Sequence, residues 1–176
     1  MHDLKTAHED LIDSIYSGGY GMTTGSRTAI EPKVAAFLAR QPVGVVTTVR
    51  PDGMPRQSVT YVVFDGDRLL LSTLRDRGKA HDVARHGWAS VCVLGHVPPY
   101  PSVTVEGPAR VLTTGIGAAT ARIASVISGQ EVAELSDEQL AAAGRVILEI
   151  TIRRAYGASH IPDLTAKPQN DRVDRP

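Results

Sequence analysis

Apolar positions recur along this chain with two periods. Short runs rich in Val and Thr occupy residues 43–49, 58–64 and 69–74, and turn-forming residues separate them. Arg50-Pro51-Asp52-Gly53 and Asp65-Gly66-Asp67 supply the corners. Proline presets the first position of a turn, and Asp and Gly tolerate the conformations that follow. Runs of this length and composition predict strands of an antiparallel meander. Further strands are predicted at 89–93, at 102–112 with a bend near Gly107-Pro108, and at 145–153.

Helical spacing appears elsewhere. Residues 3–16 carry Leu4, Leu11, Ile12 and Ile15 on one face, which predicts an amphipathic helix. Residues 31–40 place Pro32 in a first turn and Val34, Phe37 and Leu38 on a stripe. A helix of two or three turns is predicted from Arg77 or Gly78 to just before Gly87, and another at 118–127 with Ile123, Val126 and Ile127 aligned. Ser136 and Gln139 have the spacing of a capping box. Residues 95–101 hold three prolines and predict a loop. About six antiparallel strands with peripheral helices predict a mainly β fold, closed or nearly closed into a barrel so that few strand edges stay open.

The chain's 176 residues suit one domain with a sizeable core. We divide it into an N-terminal helix with a Gly-rich link (1–30), a barrel domain (31–157) and a polar, proline-marked tail (158–176). The Gly-rich stretch at 18–26 lacks the Gly-Lys-Ser/Thr ending of a phosphate-binding P-loop. Nineteen basic residues balance nineteen acidic ones, so no electrostatic footprint for nucleic acid is expected. No signal peptide or membrane-length apolar run is visible, and a cytoplasmic location is expected. Cys92, the single cysteine, is expected to be a small buried hydrophobe, and Trp88 a core or interface aromatic. His81 and His86 stand five apart, off a shared helical face, and no metal site is expected. No nucleophile elbow is present.

One junction carries candidate chemistry. Ser72 and Thr73 end the third apolar run, and Arg75, Arg77 and Lys79 lead into a helix. Hydroxyls and helix N-terminal amides can donate to a phosphate, and guanidinium and ammonium groups neutralise its charge. Read alone, the same cluster is equally a set of solvated loop cations.

The stretch VGVVTTVRPDGMPRQSVTYVVFDGDRLLLSTLRDRGKAHDVARHGWASVCV, followed by PPYPSVTVEGPARVL, resembles the pyridoxamine 5'-phosphate oxidase-like split β-barrel superfamily. It is most similar to the small actinobacterial deazaflavin-dependent branch, over residues 35–157 with a weaker middle at 115–143. The resemblance implies a homodimer with cofactor sites at the interface, and a non-covalently bound coenzyme F420 (favoured) or FMN. It implies an oxidoreductase passing a hydride to a small unsaturated organic substrate; binding without turnover, to a flavin, deazaflavin or haem, is the alternative. Arg77 and Lys79 match the superfamily's basic pair, with Ser72 and Thr73 as hydroxyl donors and Arg75 as a looser match. Gln57, Ser58 and Val59 fall on the strand beside the ring, and Ser102 and Tyr100 in the region approaching it from the second chain. Tyr61, His96 and Tyr100 are candidate proton donors. Thr47 and Thr48 are candidate ring contacts or, more often for Thr in a strand, only good strand formers, and Arg56 or a cation from the N-terminal segment is a candidate partner for the coenzyme's charged tail.

Overall fold

The computed structural model describes residues 30–96 and 100–157. The helix predicted at 3–16, the Gly-rich link and the tail lie outside them. Among the described residues, four helices and eight strands follow in order. Helix α1 (Pro32–Arg40) precedes β1 (Val43–Val49), β2 (Pro55–Tyr61), β3 (Val63–Asp65) and β4 (Arg68–Leu74). Helix α2 (Gly78–His86) leads to β5 (Trp88–Leu94) and β6 (Ser102–Leu112). Helices α3 (Gly117–Ser128) and α4 (Asp137–Ala142) come before β7 (Arg145–Thr151) and β8 (Arg154–Tyr156).

All strand pairs are antiparallel, in the order β2-β1-β5-β6-β7-β4-β3, with β8 on β6. The sheet curls into an open half-barrel. The β1–β2 and β3–β4 turns close as expected, with Gly53 and Gly66 at positive φ. The predicted three-strand meander is corrected at one residue. The run at 58–64 is two strands broken at Val62, whose amide donates to Pro42 O at 2.8 Å and whose side chain is buried. There the chain passes from one edge of the sheet to the other, and β4 pairs with β7 and β3 instead of β2. An alternating apolar run cannot reveal such a break, because both halves have strand composition.

Two cores result. The barrel interior holds Val46, Leu69, Leu71, Val91, Val103, Val105, Leu148 and Ile150, joined in one cluster by Val34, Phe37 and Leu38 of α1 and by Ala80 and Val83 of α2. A second layer packs Ile116, Ile123 and Leu140 from the α3–α4 segment on Leu70 and Ile147. Strand β7 lies between the two layers and is buried on both faces, where one-sided alternation would leave every second residue open. Glu149, on the helix-layer face, is neutralised by Arg68 Nη1 (2.8 Å) and Arg110 Nε (2.6 Å).

Gly107 marks the predicted bend. Before it β6 pairs with β8, and after it with β7; a Cβ there would collide with the carbonyl oxygen of Thr151. The capping box forms as predicted: the Gln139 amide donates to Ser136 Oγ and the Ser136 amide to Gln139 Oε1. No described helix is long and apolar enough to cross a membrane.

Candidate functional site

Strand β4 delivers the chain to the junction that the sequence singles out. In an antiparallel ladder, directly opposed residues share a face. Thr73 lies opposite Val146, is buried, and faces the barrel interior with Leu71. Ser72 lies opposite Ile147 and shares the helix-layer face with Leu70. The two hydroxyls therefore point to opposite sides of the sheet.

Past Leu74 the backbone folds sharply. The Arg75 amide donates to Gly144 O (2.8 Å) and the Arg77 amide to Leu74 O (3.1 Å). Arg77 is the N-cap of α2 in an extended conformation, with no side-chain cap hydrogen bond. Gly87 ends the helix in the left-handed conformation that glycine adopts freely. The first intrahelical bonds come from Ala80 and His81 to Arg77 O, so the Gly78 and Lys79 amides precede them and remain available as donors.

Arg50, Arg56, Arg68, Arg85, Arg110 and Arg122 each pair with a carboxylate. Arg75, Arg77 and Lys79 have no such pair among the described residues. Lys79 is half-buried, and its Nζ donates to Ser58 Oγ at 3.1 Å. Burial, and then the neighbouring Arg77 charge, hold the Lys79 pKa below the ordinary lysine value of 10.5. A cation in this position gains from an anion more than a solvated one would, because neither burial nor its neighbour supplies the opposing charge.

The β2 candidates divide by parity. Ser58 turns to Lys79, as does Arg56 to α2. Gln57, Val59 and Tyr61 point to the outer face, opposite Thr47, Val45 and Val43. Gln57 Nε2 donates to Thr47 Oγ1 at 3.4 Å, and Val59 is 70 % exposed. Across β5, β6 and β8 the same face continues through Leu94, Cys92, Ser102, Thr104 and Tyr156. Cys92 is thus half-buried on this outer surface, a correction to its expected burial in the core. Trp88 begins β5 and is 45 % exposed, which rules out the core role. Thr48 is buried, and its hydroxyl donates to Asp82 Oδ2 at 2.9 Å.

The three candidate proton donors are not linked by hydrogen bonds among the described residues. Tyr61 is exposed on β2. Tyr100 is 64 % exposed and has a φ of 56°, unusual for a non-glycine residue. His96 Nδ1 lies 3.1 Å from Gln41 Oε1, at the end of α1.

Three features escaped the sequence reading. Arg145 is aligned with Leu74, beside Arg75. Gly78 provides the space into which the Arg56 guanidinium folds. Asp82 accepts from Arg56 Nε (2.7 Å), Thr48 and Arg85 Nη2 (3.2 Å). Spacing held the only clue to the last: Lys79, Asp82 and Arg85 fall at i, i+3 and i+6, one side of a helix.

An open antiparallel barrel with helices packed against it and a cationic strand–helix junction defines a split β-barrel protein. The family described as pyridoxamine 5'-phosphate oxidase matches residues 30–158, and the chain belongs to that family. No curated protein matches the chain. Among solved structures it is similar to an F420 reductase (23 % identity, 69 % of this chain and 94 % of that one, TM-score 0.58). It is similar to a putative pyridoxamine 5'-phosphate oxidase from Listeria innocua (22 %, 70 % and 94 %, TM-score 0.56). A third is the FAD and haem binding protein from Mycobacterium smegmatis (17 %, 71 % and 67 %, TM-score 0.57). At these identities the structures establish the shared fold.

Proposed function

We propose that this chain is an oxidoreductase that holds coenzyme F420 or FMN non-covalently and passes a hydride to a small unsaturated organic substrate. The observation that carries this reading is the set of uncompensated cations, Arg75, Arg77 and half-buried Lys79, around the free amides of α2. Such a set fits a phosphate, and both cofactors carry one. The similarity to an F420 reductase supports the deazaflavin as the favoured choice.

When bound, the tricyclic ring supplies the hydride chemistry. The chain's own residues bind and position. Lys79 and Arg77 neutralise the phosphate, Arg75 adds long-range attraction, and Ser58 keeps the Lys79 ammonium in place. Thr73 and the amides of Gly78 and Lys79 are further donors at the junction. Gln57, Val59 and Ser102 lie on the outer face, where a second copy of the chain would cover them and exclude water. Exposed Val59, Tyr61, Leu94 and Tyr156 on that face support a homodimer with the cofactor at its interface. Tyr61, Tyr100 or His96 then serves as proton donor to the substrate.

Titration of the purified chain with FMN and with reduced and oxidised F420, followed by absorbance and fluorescence, tests this reading. Micromolar binding of at least one cofactor, with hydride transfer to an acceptor, is the expected result; binding of neither contradicts it. A second reading, binding without turnover, is favoured by one observation. It is the likeness to the FAD and haem binding protein. A bound cofactor that no acceptor oxidises would select it.

A further inference from the structure

A buried carboxylate stands where an anion-binding site would least be expected to keep one. Asp82 is three residues beyond Lys79 on α2, and its side chain is 2 % exposed. Placed near a phosphate, its charge would repel the ligand. Its hydrogen bonds show another use. Oδ2 accepts from Arg56 Nε at 2.7 Å and from Thr48 Oγ1 at 2.9 Å, and Oδ1 accepts from Arg85 Nη2 at 3.2 Å. The carboxylate thus ties the β1–β2 hairpin to the helix directly at Thr48 and Arg56, and Arg85, which it also holds, adds a third tie by donating from Nη2 to Val49 O at 2.6 Å.

The guanidinium of Arg56 is the member that matters. Its Nε is taken by Asp82, and its plane lies against Gly78, the first residue of α2. A Cβ built on Gly78 would stand 2.5 Å from Arg56 Cζ and 2.8 Å from its Nη1. The terminal nitrogens are therefore held at the N-terminal turn of the helix, between Arg77 and Lys79 in the chain. Arg56 remains 39 % exposed there, so it is accessible to a ligand.

We infer that Asp82 is a positioning residue: it fixes Arg56 across Gly78 so that the guanidinium joins Lys79 and Arg77 in gripping the cofactor's phosphate. The inference rests on the cofactor reading above. Asp82 touches no ligand. It acts by removing the freedom of a long side chain before binding, which otherwise has to be lost on binding. Immobilising one such side chain is worth about 0.5–1.5 kcal/mol, or roughly two- to tenfold in affinity.

The sign of the Asp82→Asn effect separates this role from plain electrostatics. Removing a negative charge near an anion site should tighten phosphate binding by Coulomb's law. Loss of positioning should weaken it. The full-length chain and its variants are titrated with FMN and riboflavin, and with F420 and the deazaflavin chromophore lacking its phosphate arm. For Asp82→Asn we expect a roughly two- to tenfold loss for the phosphate-bearing ligands and no change for the others. Gly78→Ala gives the same pattern without touching any charge. Glycine is the poorer helix former, so this variant keeps the fold even if Asp82→Asn lowers its stability. In an Arg56→Ala background, Asp82→Asn no longer weakens phosphate binding and leaves only the small tightening that loss of its charge gives, as expected of a residue acting through Arg56. Unchanged or tighter phosphate binding in both single variants overturns the inference and leaves the cofactor reading standing. A wild-type chain that binds no phosphate-bearing ligand overturns both.

Discussion

Lys79 concentrates the electrostatics of the proposed site. Its charge is disfavoured by burial and by Arg77, so its pKa lies below the ordinary lysine value of 10.5. A phosphate bound to it gains affinity while the ammonium is charged. That gain is therefore lost as pH rises through the lowered pKa, earlier than for a solvated lysine. Cofactor affinity measured between neutral and alkaline pH should fall in that range for wild type. In Lys79→Arg, which cannot deprotonate there, it should stay flat. Asp82 titrates with the opposite sign. Burial alone would raise its pKa, but hydrogen bonds from Arg56, Thr48 and Arg85 more than offset this, and the net shift is downward. Its contribution to stability is thus present above the unfolded pKa and disappears as pH falls through the lower folded value. Asp82→Asn is expected to cost about 1–3 kcal/mol at neutral pH, with the difference from wild type closing in acid. Thermal melts across pH check this; a pH-independent difference contradicts it.

The elements were legible in the sequence to very different degrees. Helix α1 could be read from Pro32 and the Val34, Phe37, Leu38 stripe, and all three side chains are buried as that stripe requires. Capping at Ser136, the Gly87 stop and the bend at Gly107 were equally readable, because each depends on a local backbone demand. What escaped depends on distant pairing. Nothing local distinguishes Val62 from its neighbours; only the acceptor at Pro42 makes it the crossing point between sheet edges. Strand β8 has three residues and forms only because β6 offers a free edge before Gly107. At the site, the cations after β4 were legible because they cluster in sequence. The partners of Arg56 and Thr48 were not, lying 26 and 34 residues away. Two substitutions test this level. Phe37→Ala should cost about 3–5 kcal/mol by opening a cavity in that core cluster. Gly107→Ala should cost at least about 3 kcal/mol, since its new Cβ meets backbone that has no freedom to yield. Denaturant titration measures both, and a change below about 0.5 kcal/mol in either contradicts the packing described.

At the scale of the whole molecule, the half-barrel buries the inner face of β2, β1, β5 and β6 and leaves their outer face open. Val59, Tyr61, Leu94 and Tyr156 stay exposed there, a costly arrangement for a lone chain and an ordinary one for a subunit. Val59→Arg is expected to shift the chain from dimer to monomer in light scattering and to reduce cofactor occupancy in parallel. A wild-type monomer that binds cofactor fully contradicts the proposed interface site. Electrostatics at the strand–helix junction decide the binding. Arg77 and Lys79 together should contribute about a hundredfold to the affinity for a phosphate-bearing cofactor. The most direct test is cofactor occupancy of the Arg77→Ala/Lys79→Ala double variant, measured by absorbance after desalting with F420 or FMN. The double variant is expected to be folded and stripped of colour; retention of the cofactor as firmly as in wild type would mean that these cations do not hold it.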